Sequence, residues 1–284
     1  MSELKFDLVV IGAGPAGYAA AMRAIDYGKR VCLIESKKVG GVGLYNGALS
    51  SKTLWELSQR VKNVNETIIS LGRERFEISW AEVKKTLDEA IFERKFQYSC
   101  HIKLLKNERA DLFSYRRGYG KIVNANQVSI SRPDEEDSII DTDFIIISTG
   151  SRPRMLPNII ADEKIILTSD GIDHLEDYPK SMVIVGAGVI GCEYATIFSN
   201  FGKTKVYLID RADHILPFED DDISKTVSAN LERHGVTIHH TAQLERLDIV
   251  DGEVEYEIVS EGVKEVIRVE KALLSVGRIA NYEN

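Results

Sequence analysis

The residues of this 284-residue chain best suited to chemistry fall into three groups. Gly12, Gly14 and Gly17 lie in IGAGPAG, and Gly186, Gly188 and Gly191 lie in VGAGVIG, both with G-x-G-x-x-G spacing. Where Cβ is missing, a turn of backbone can pass close to a pyrophosphate. A helix starting at that turn adds free N–H groups and the positive end of its dipole. Each trio is followed by an acid at the end of the next apolar run: Glu35, with Ser36 beside it, and Asp210, with Arg211 beside it. A carboxylate there can accept hydrogen bonds from a ribose diol. The third group is VGGVGLYNGALSSK, residues 39–52, where glycines, Ser51 and Lys52 surround two positions, Gly43 and Ala48, that carry no reactive atom.

The elements that must hold these residues follow from the local pattern. LVVIG (8–12) is a short apolar run ending on glycine, as in a buried parallel strand. Pro15 and Ala16 begin a helix that Gly28 ends, and VCLIE (31–35) is the next strand, completing a βαβ unit. The same order recurs from SMVIVG to KVYLID, residues 181–210, with Val189 and Ile190 inside the second turn and Gly202 closing its helix. Two dinucleotide units imply two dinucleotides. Asp210 favours a free 2′-hydroxyl and hence NAD(H), whereas Arg211 can contact a 2′-phosphate, so NADP(H) stays open. Between the repeats, SSKTLWELSQRVKNV and SWAEVKKTLDEAIFERKFQYSCHIKLL have helical periodicity. DLFSYRRGYGKIVNANQVSISR reads as a meander, and DFIIISTGSRP (143–153) as a buried strand ending in Thr149 and Gly150, a turn small enough for a cofactor to approach. VTIHH, LERLDIV, VEYEIVS and ALLSVGR read as further short strands.

Composition narrows the function class. A net charge of −8 argues against nucleic acid or an anionic membrane as partner, and leaves small molecules. Cys32, Cys100 and Cys192 are too few and too scattered for a disulfide framework or a metal knuckle. With no signal-like start and no run of about 18 apolar residues, the location expected is cytoplasmic. No metal is expected. His239 and His240, adjacent on a strand, point to opposite faces, and the acids Glu219 to Asp222 read as the first turn of a helix. Cys192 reads as a small packing residue.

GAGPAG with Glu35, the GG…G…SK loop, STG at 148–150, GAGVIGCE with Asp210, and SVGR at 275–278 together resemble the flavin-dependent pyridine nucleotide-disulfide oxidoreductases. VIGCEYATIF, residues 189–198, is similar to the members that pass hydride between nicotinamides, the soluble transhydrogenases. The resemblance implies an α/β protein of two Rossmann-like domains with three-layer β/β/α character. An FAD-binding domain is expected over 1–150, continued by about 271–284, and an NAD(P)-binding domain over 151–270. By the same resemblance, FAD contacts Gly41, Val42, Gly47, Lys52, Thr149 and Gly150 as well as the first turn, and Gly277 borders a nucleotide. Lys52 would stand near the flavin N5, paired with Glu193.

Disulfide-reducing members carry their two redox cysteines at the positions held here by Gly43 and Ala48, and Ser50 replaces a family proline. Disulfide reduction is therefore not expected, while the cofactor framework remains: Gly40, Gly41 and Gly47 shape the turn, Ser51 is expected to cap the next helix, and Tyr45 either stacks near the flavin or fills space. The function this implies is an FAD-dependent NAD(P)H oxidoreductase passing hydride to a small acceptor that is not a disulfide, either a second nicotinamide or a quinone or dye. The alternative is a non-catalytic nucleotide-binding protein that senses or assembles. In the family a dimerisation domain follows the nicotinamide domain, and a homodimer is expected only where that domain is present.

Overall fold

The computed structural model describes residues 5–133, 135–260 and 262–283. In chain order the elements are β1 (Phe6–Ile11), α1 (Pro15–Asp26), β2 (Val31–Glu35), α2 (Gly41–Tyr45), α3 (Ala48–Ser70), α4 (Trp80–Glu108), β3 (Phe113–Arg117), β4 (Tyr119–Asn124), β5 (Gln127–Arg132) and β6 (Glu135–Ile147). There follow β7 (Ser151–Pro153), β8 (Ile166–Thr168), β9 (Ser181–Val185), α5 (Val189–Phe201), β10 (Lys205–Ile209), α6 (Asp221–Arg233) and β11 (Thr237–His239). The last elements are β12 (Gln243–Val250), β13 (Glu253–Ser260), β14 (Val263–Val269), β15 (Lys271–Leu274) and β16 (Arg278–Ala280). Two compact units result: the chain up to Leu49 with Glu89–Arg152 and the residues from Ala280, and Ser50–Asp88 with Pro153–Ile279.

The first unit is built on a sheet of order β3-β2-β1-β6-β5-β4. Its strands β3, β2, β1 and the end of β6 are parallel, and β4, β5 and the start of β6 form an antiparallel meander. Alternation along β1 explains the layering. Leu8 and Val10 pack with Ala21, Ile25, Ile102 and Leu105 of the helices, whereas Val9 and Ile11 pack with Val128, Ile130 and Ile140 of the meander. The parallel strands are thus apolar on both faces, which is why LVVI and VCLI read as continuous runs.

The second unit repeats the plan. Its sheet, β11-β10-β9-β15-β8, is wholly parallel, and a separate antiparallel sheet runs β12-β13-β14. Met182 and Ile184 face Ala195 and Phe198 of α5, and Val183 and Val185 face Leu247, Val254 and Tyr256. Both units therefore have three-layer β/β/α character. Within the second unit, the indole N–H of Trp80 donates to the Leu175 carbonyl at 2.7 Å and the Asn200 amide donates to Ser58 Oγ at 3.3 Å, anchoring parts of α4 and α3.

Several expectations change. Residues 271–284 are expected to return to the first domain; the residues from Ala280 do belong to the first unit, but Lys271–Leu274 form strand β15, hydrogen-bonded between β9 and β8, because the apolar ALL run is buried only inside a parallel sheet. VKEVIRV, with its charges, gives no strand signal, yet forms β14 by pairing along β13. Ser51 caps nothing: α3 begins at Ala48, and Ser51 is buried within its first turn. Asp220, by contrast, caps α6 by accepting from the Asp222 N–H at 3.0 Å, and Asp221 and Asp222 form its acidic first turn. No helix among the described residues is long and apolar enough to cross a membrane.

Candidate functional site

The two glycine turns are the same structure built twice. Gly12 and Gly186 both have φ +100°, and a Cβ on either would fall 2.3 Å from the Ser148 carbonyl oxygen or 2.7 Å from that of Ser275. A Cβ on Gly17 or Gly191 would fall 1.9 or 2.0 Å from the carbonyl oxygen of its own first glycine. These four glycines are required by the protein's own packing. Gly14 and Gly188 differ, since a Cβ there would meet nothing within 4 Å. They lie on an open side, at the starts of α1 and α5, neither of which has a side-chain cap. The open middle glycine and uncapped helix start form a cradle that fits a dinucleotide pyrophosphate.

The acids at the strand ends do more than the spacing suggests. Glu35, buried, accepts from the Ala13 N–H at 2.8 Å and from the Lys37 N–H at 2.7 Å. Asp210 accepts from the Ala187 N–H at 2.6 Å and the Ala212 N–H at 2.9 Å. Each carboxylate therefore ties its glycine turn to the loop after the second strand, leaving lone pairs for a ribose. A third shared part is an S-x-G turn. Ser148 and Ser275 donate their N–H groups to Ile11 and Val185 at 2.8 and 2.9 Å, and Gly150 and Gly277 have φ +74° and +105°. Thr149 and Gly150 are in turn bonded to Asn281, whose N–H reaches the Gly150 carbonyl at 2.9 Å.

The loop 39–47 docks on the first turn. The Gly40 N–H donates to the Ala13 carbonyl at 2.8 Å, and a Cβ on Gly41 would lie 3.3 Å from Gly14 Cα. On Gly43 a Cβ would lie 2.4 Å from Pro15 Cγ, and on Gly47 2.5 Å from the Val42 carbonyl oxygen. Gly12, Gly14, Pro15, Ala16, Gly17, Glu35, Ser36, Gly41, Val42, Gly47, Thr149 and Gly150 thus all belong to the first unit. Tyr45 lies in α2 with Lys38 Nζ 5.0 Å from its ring centroid.

Lys52 belongs to the second unit, where its ammonium meets Glu193 at 2.5 Å; the Lys52 side chain is 65% exposed and that of Glu193 15%. Two residues back on α3, Ser50 Oγ donates to Asp173 at 2.7 Å, and burial pushes the Asp173 carboxyl above the usual carboxylate range. A cleft of about 790 Å³ in this unit is lined by Gly186, Gly188, Val189, Ile190, Asp210, Arg211 and Gly277. Neither Lys52 nor Glu193 lines it. Its far wall is β12, where Arg246 is held by Asp248 at 2.9 Å and Glu255 at 2.6 Å. Arg246 was missed in the sequence because only the β12–β13 pairing, which sets Glu257 opposite Arg246 and Glu255 opposite Asp248, brings Glu255 within reach on the diagonal. Cys32 and Cys192 are buried, with thiols pushed up to about 12 by desolvation, and remain protonated near neutrality. His239 is half-buried, and burial holds its imidazole below the usual value.

Fold and turns define an α/β chain with two Rossmann-like units, each opening on a glycine turn of the dinucleotide-binding type. The family model for pyridine nucleotide-disulphide oxidoreductases matches residues 6–284, and the chain belongs to that family. It is 32% identical over 295 residues to a dihydrolipoyl dehydrogenase of Bacillus subtilis (strain 168), covering 98% of this chain and 60% of that protein. It is 33% identical over 285 residues to a soluble pyridine nucleotide transhydrogenase of Hahella chejuensis, covering 100% and 60%. Among solved structures it is similar to the HOCl-induced flavoprotein disulfide reductase RclA of Escherichia coli, as its Cu(II) complex, with TM-score 0.77 and 26% identity over 97% of this chain and 57% of that one. LpdA of Mycobacterium tuberculosis shares the fold, with TM-score 0.83 at 23% identity over 96% and 59%. The chain thus spans about three fifths of the length of these relatives. Homologues in this family use FAD and NAD(P)H.

Two outcomes follow from the glycines. Gly14→Ala and Gly188→Ala should keep stability within about 0.5 kcal/mol while weakening FAD and NADH binding respectively by tenfold or more, roughly 1.4 kcal/mol; Gly17→Ala should lose about 3 kcal/mol or more. Denaturant unfolding and nucleotide titration check this, and a stable Gly17→Ala with intact binding contradicts it. Gly43→Ala should cost about 1–3 kcal/mol, because its methyl must displace the Pro15 ring. Unchanged thermal unfolding would show that α2 yields freely.

Proposed function

We propose that this chain is the dinucleotide-binding part of an FAD-dependent NAD(P)H oxidoreductase that passes electrons to a small acceptor other than a disulfide: a second nicotinamide, as the name of the transhydrogenase relatives suggests, or a quinone or dye. The first unit would carry FAD and the second NAD(P). The observation that carries the reading is the Lys52–Glu193 pair at 2.5 Å, retained beside a loop whose two redox positions are Gly43 and Ala48. A purely binding protein has no need of an ammonium directed at the flavin N5, the role that the family resemblance gives this lysine. FAD, when bound, supplies a two-electron carrier between nicotinamide and acceptor. Lys52 would supply a positive charge toward the reduced flavin, as the family resemblance implies, and the less exposed Glu193 would hold that ammonium in place. The free cysteines support a reducing, cytoplasmic setting.

Lys52→Met should slow NADH-driven flavin reduction about 10²-fold, roughly 2.7 kcal/mol, with much less effect on NADH binding. Stopped-flow absorbance of the flavin-loaded protein reads the rate, and a wild-type rate would put the non-catalytic, nucleotide-binding reading ahead.

The second cleft also has a charge preference. Asp210, Glu245 and Asp248 line it against Arg211 and Arg246, and Arg246 is already neutralised by Asp248 and Glu255. The remaining balance is negative, which disfavours a 2′-phosphate. NADH should therefore bind about tenfold tighter than NADPH, on the order of 1.4 kcal/mol. Parallel fluorescence titrations decide it; equal or tighter NADPH binding would make Arg211 the governing residue.

A further inference from the structure

A second concavity lies within the first unit, between the loop after β2, helix α4 and strand β3, with a volume of about 600 Å³. Six cations line it, Lys37, Lys38, Lys95, Lys103, Lys106 and Arg117, and no Asp or Glu does. Among the described residues none of the six has a carboxylate partner. This is the reverse of the chain as a whole, whose net charge is −8. Helical spacing gathers three of the charges: Lys95, Lys103 and Lys106 fall at offsets of eight and eleven residues, on one face of α4 with Ser99 and the buried Ile102. All six side chains are exposed, so water and salt screen part of their mutual repulsion, and an anion that meets several of them at once gains from the positive potential that is left.

The walls also carry planar apolar surface. Tyr45, Tyr98 and Tyr115 line the hollow, each partly buried, and burial raises the hydroxyl pKa of Tyr45 and Tyr115, so they stay neutral among the lysines. Lys38 already sits over the Tyr45 ring, 5.0 Å from its centroid. Several phosphates for the lysines and a flat ring for the tyrosines are joined in one ligand class. We propose that this pocket binds a free nucleoside polyphosphate, in addition to the dinucleotides expected at the two glycine turns. The pocket is of ordinary size for such a ligand.

The test is titration of magnesium-free ATP, with inorganic tripolyphosphate and adenosine as comparison probes, into the FAD-saturated protein at low ionic strength. Stoichiometric binding of ATP, tighter than either probe, is expected. The variant Lys95→Glu/Lys103→Glu changes two exposed side chains in mid-helix and should weaken ATP at least tenfold while leaving FAD uptake and NADH titration unchanged. If the protein takes up no FAD, the proposed function is in difficulty but this proposal is still decided, by whether the variant weakens ATP and not NADH in the flavin-free protein. Absence of ATP binding, equal affinity in the variant, or tripolyphosphate binding as tightly as ATP would overturn it. So would loss of FAD uptake in the variant or mutual exclusion of ATP and FAD, since either makes the hollow the end of the dinucleotide site.

Discussion

The structure depends on one contact made twice: the third glycine of each turn lying directly on the carbonyl oxygen of the first. At 1.9 and 2.0 Å from a would-be Cβ, that oxygen admits only hydrogen at Gly17 and Gly191. The contact lets a helix start immediately after a strand and turn its N-terminus outward, with the middle glycine on the open side. Everything proposed for nucleotide binding rests on that opening. The carboxylates of Glu35 and Asp210 then brace the turn from the next strand, each by two backbone N–H groups.

Sheet layering follows from the same economy of space. Strands β1 and β9 must be apolar on both faces because helices cover one side and antiparallel strands the other. A central strand with two buried faces cannot slip register without exposing one set of side chains, so the turns at its end are held in place. The S-x-G turns complete the arrangement, since Ser148 and Ser275 present the carbonyls that exclude a Cβ at Gly12 and Gly186.

The loop at 39–52 illustrates how one stretch serves two purposes. Its glycines are explained by packing on the first turn: Gly40 bonds to Ala13, Gly41 borders Gly14, and Gly43 lies against Pro15. Its lysine is explained by Glu193, 141 residues away, in the second unit. A helix that begins at Ala48 carries the chain from one role to the other, which leaves Ser51 buried and unavailable as a cap.

What the amino-acid sequence determined by itself was the local geometry: both glycine turns, their helices, the acids that end the second strands, and the two long helices, because turns and amphipathic periods depend on near neighbours. The family was also legible, since Lys52, Glu193 and the S-x-G turns stand in fixed order. Tertiary structure alone decided the rest. That β15 belongs to the second sheet, that charged VKEVIRV becomes β14, and that Arg246 meets Glu255 are outcomes of strand pairing, because a local strand signal, where there is one, does not say which strand is the neighbour. The hollow with six cations was equally hidden. Lys37 and Lys38, the lysines of α4, and Arg117 are spread over 81 positions of an acidic chain, and only the packing of α4 across the ends of β2 and β3 gathers them.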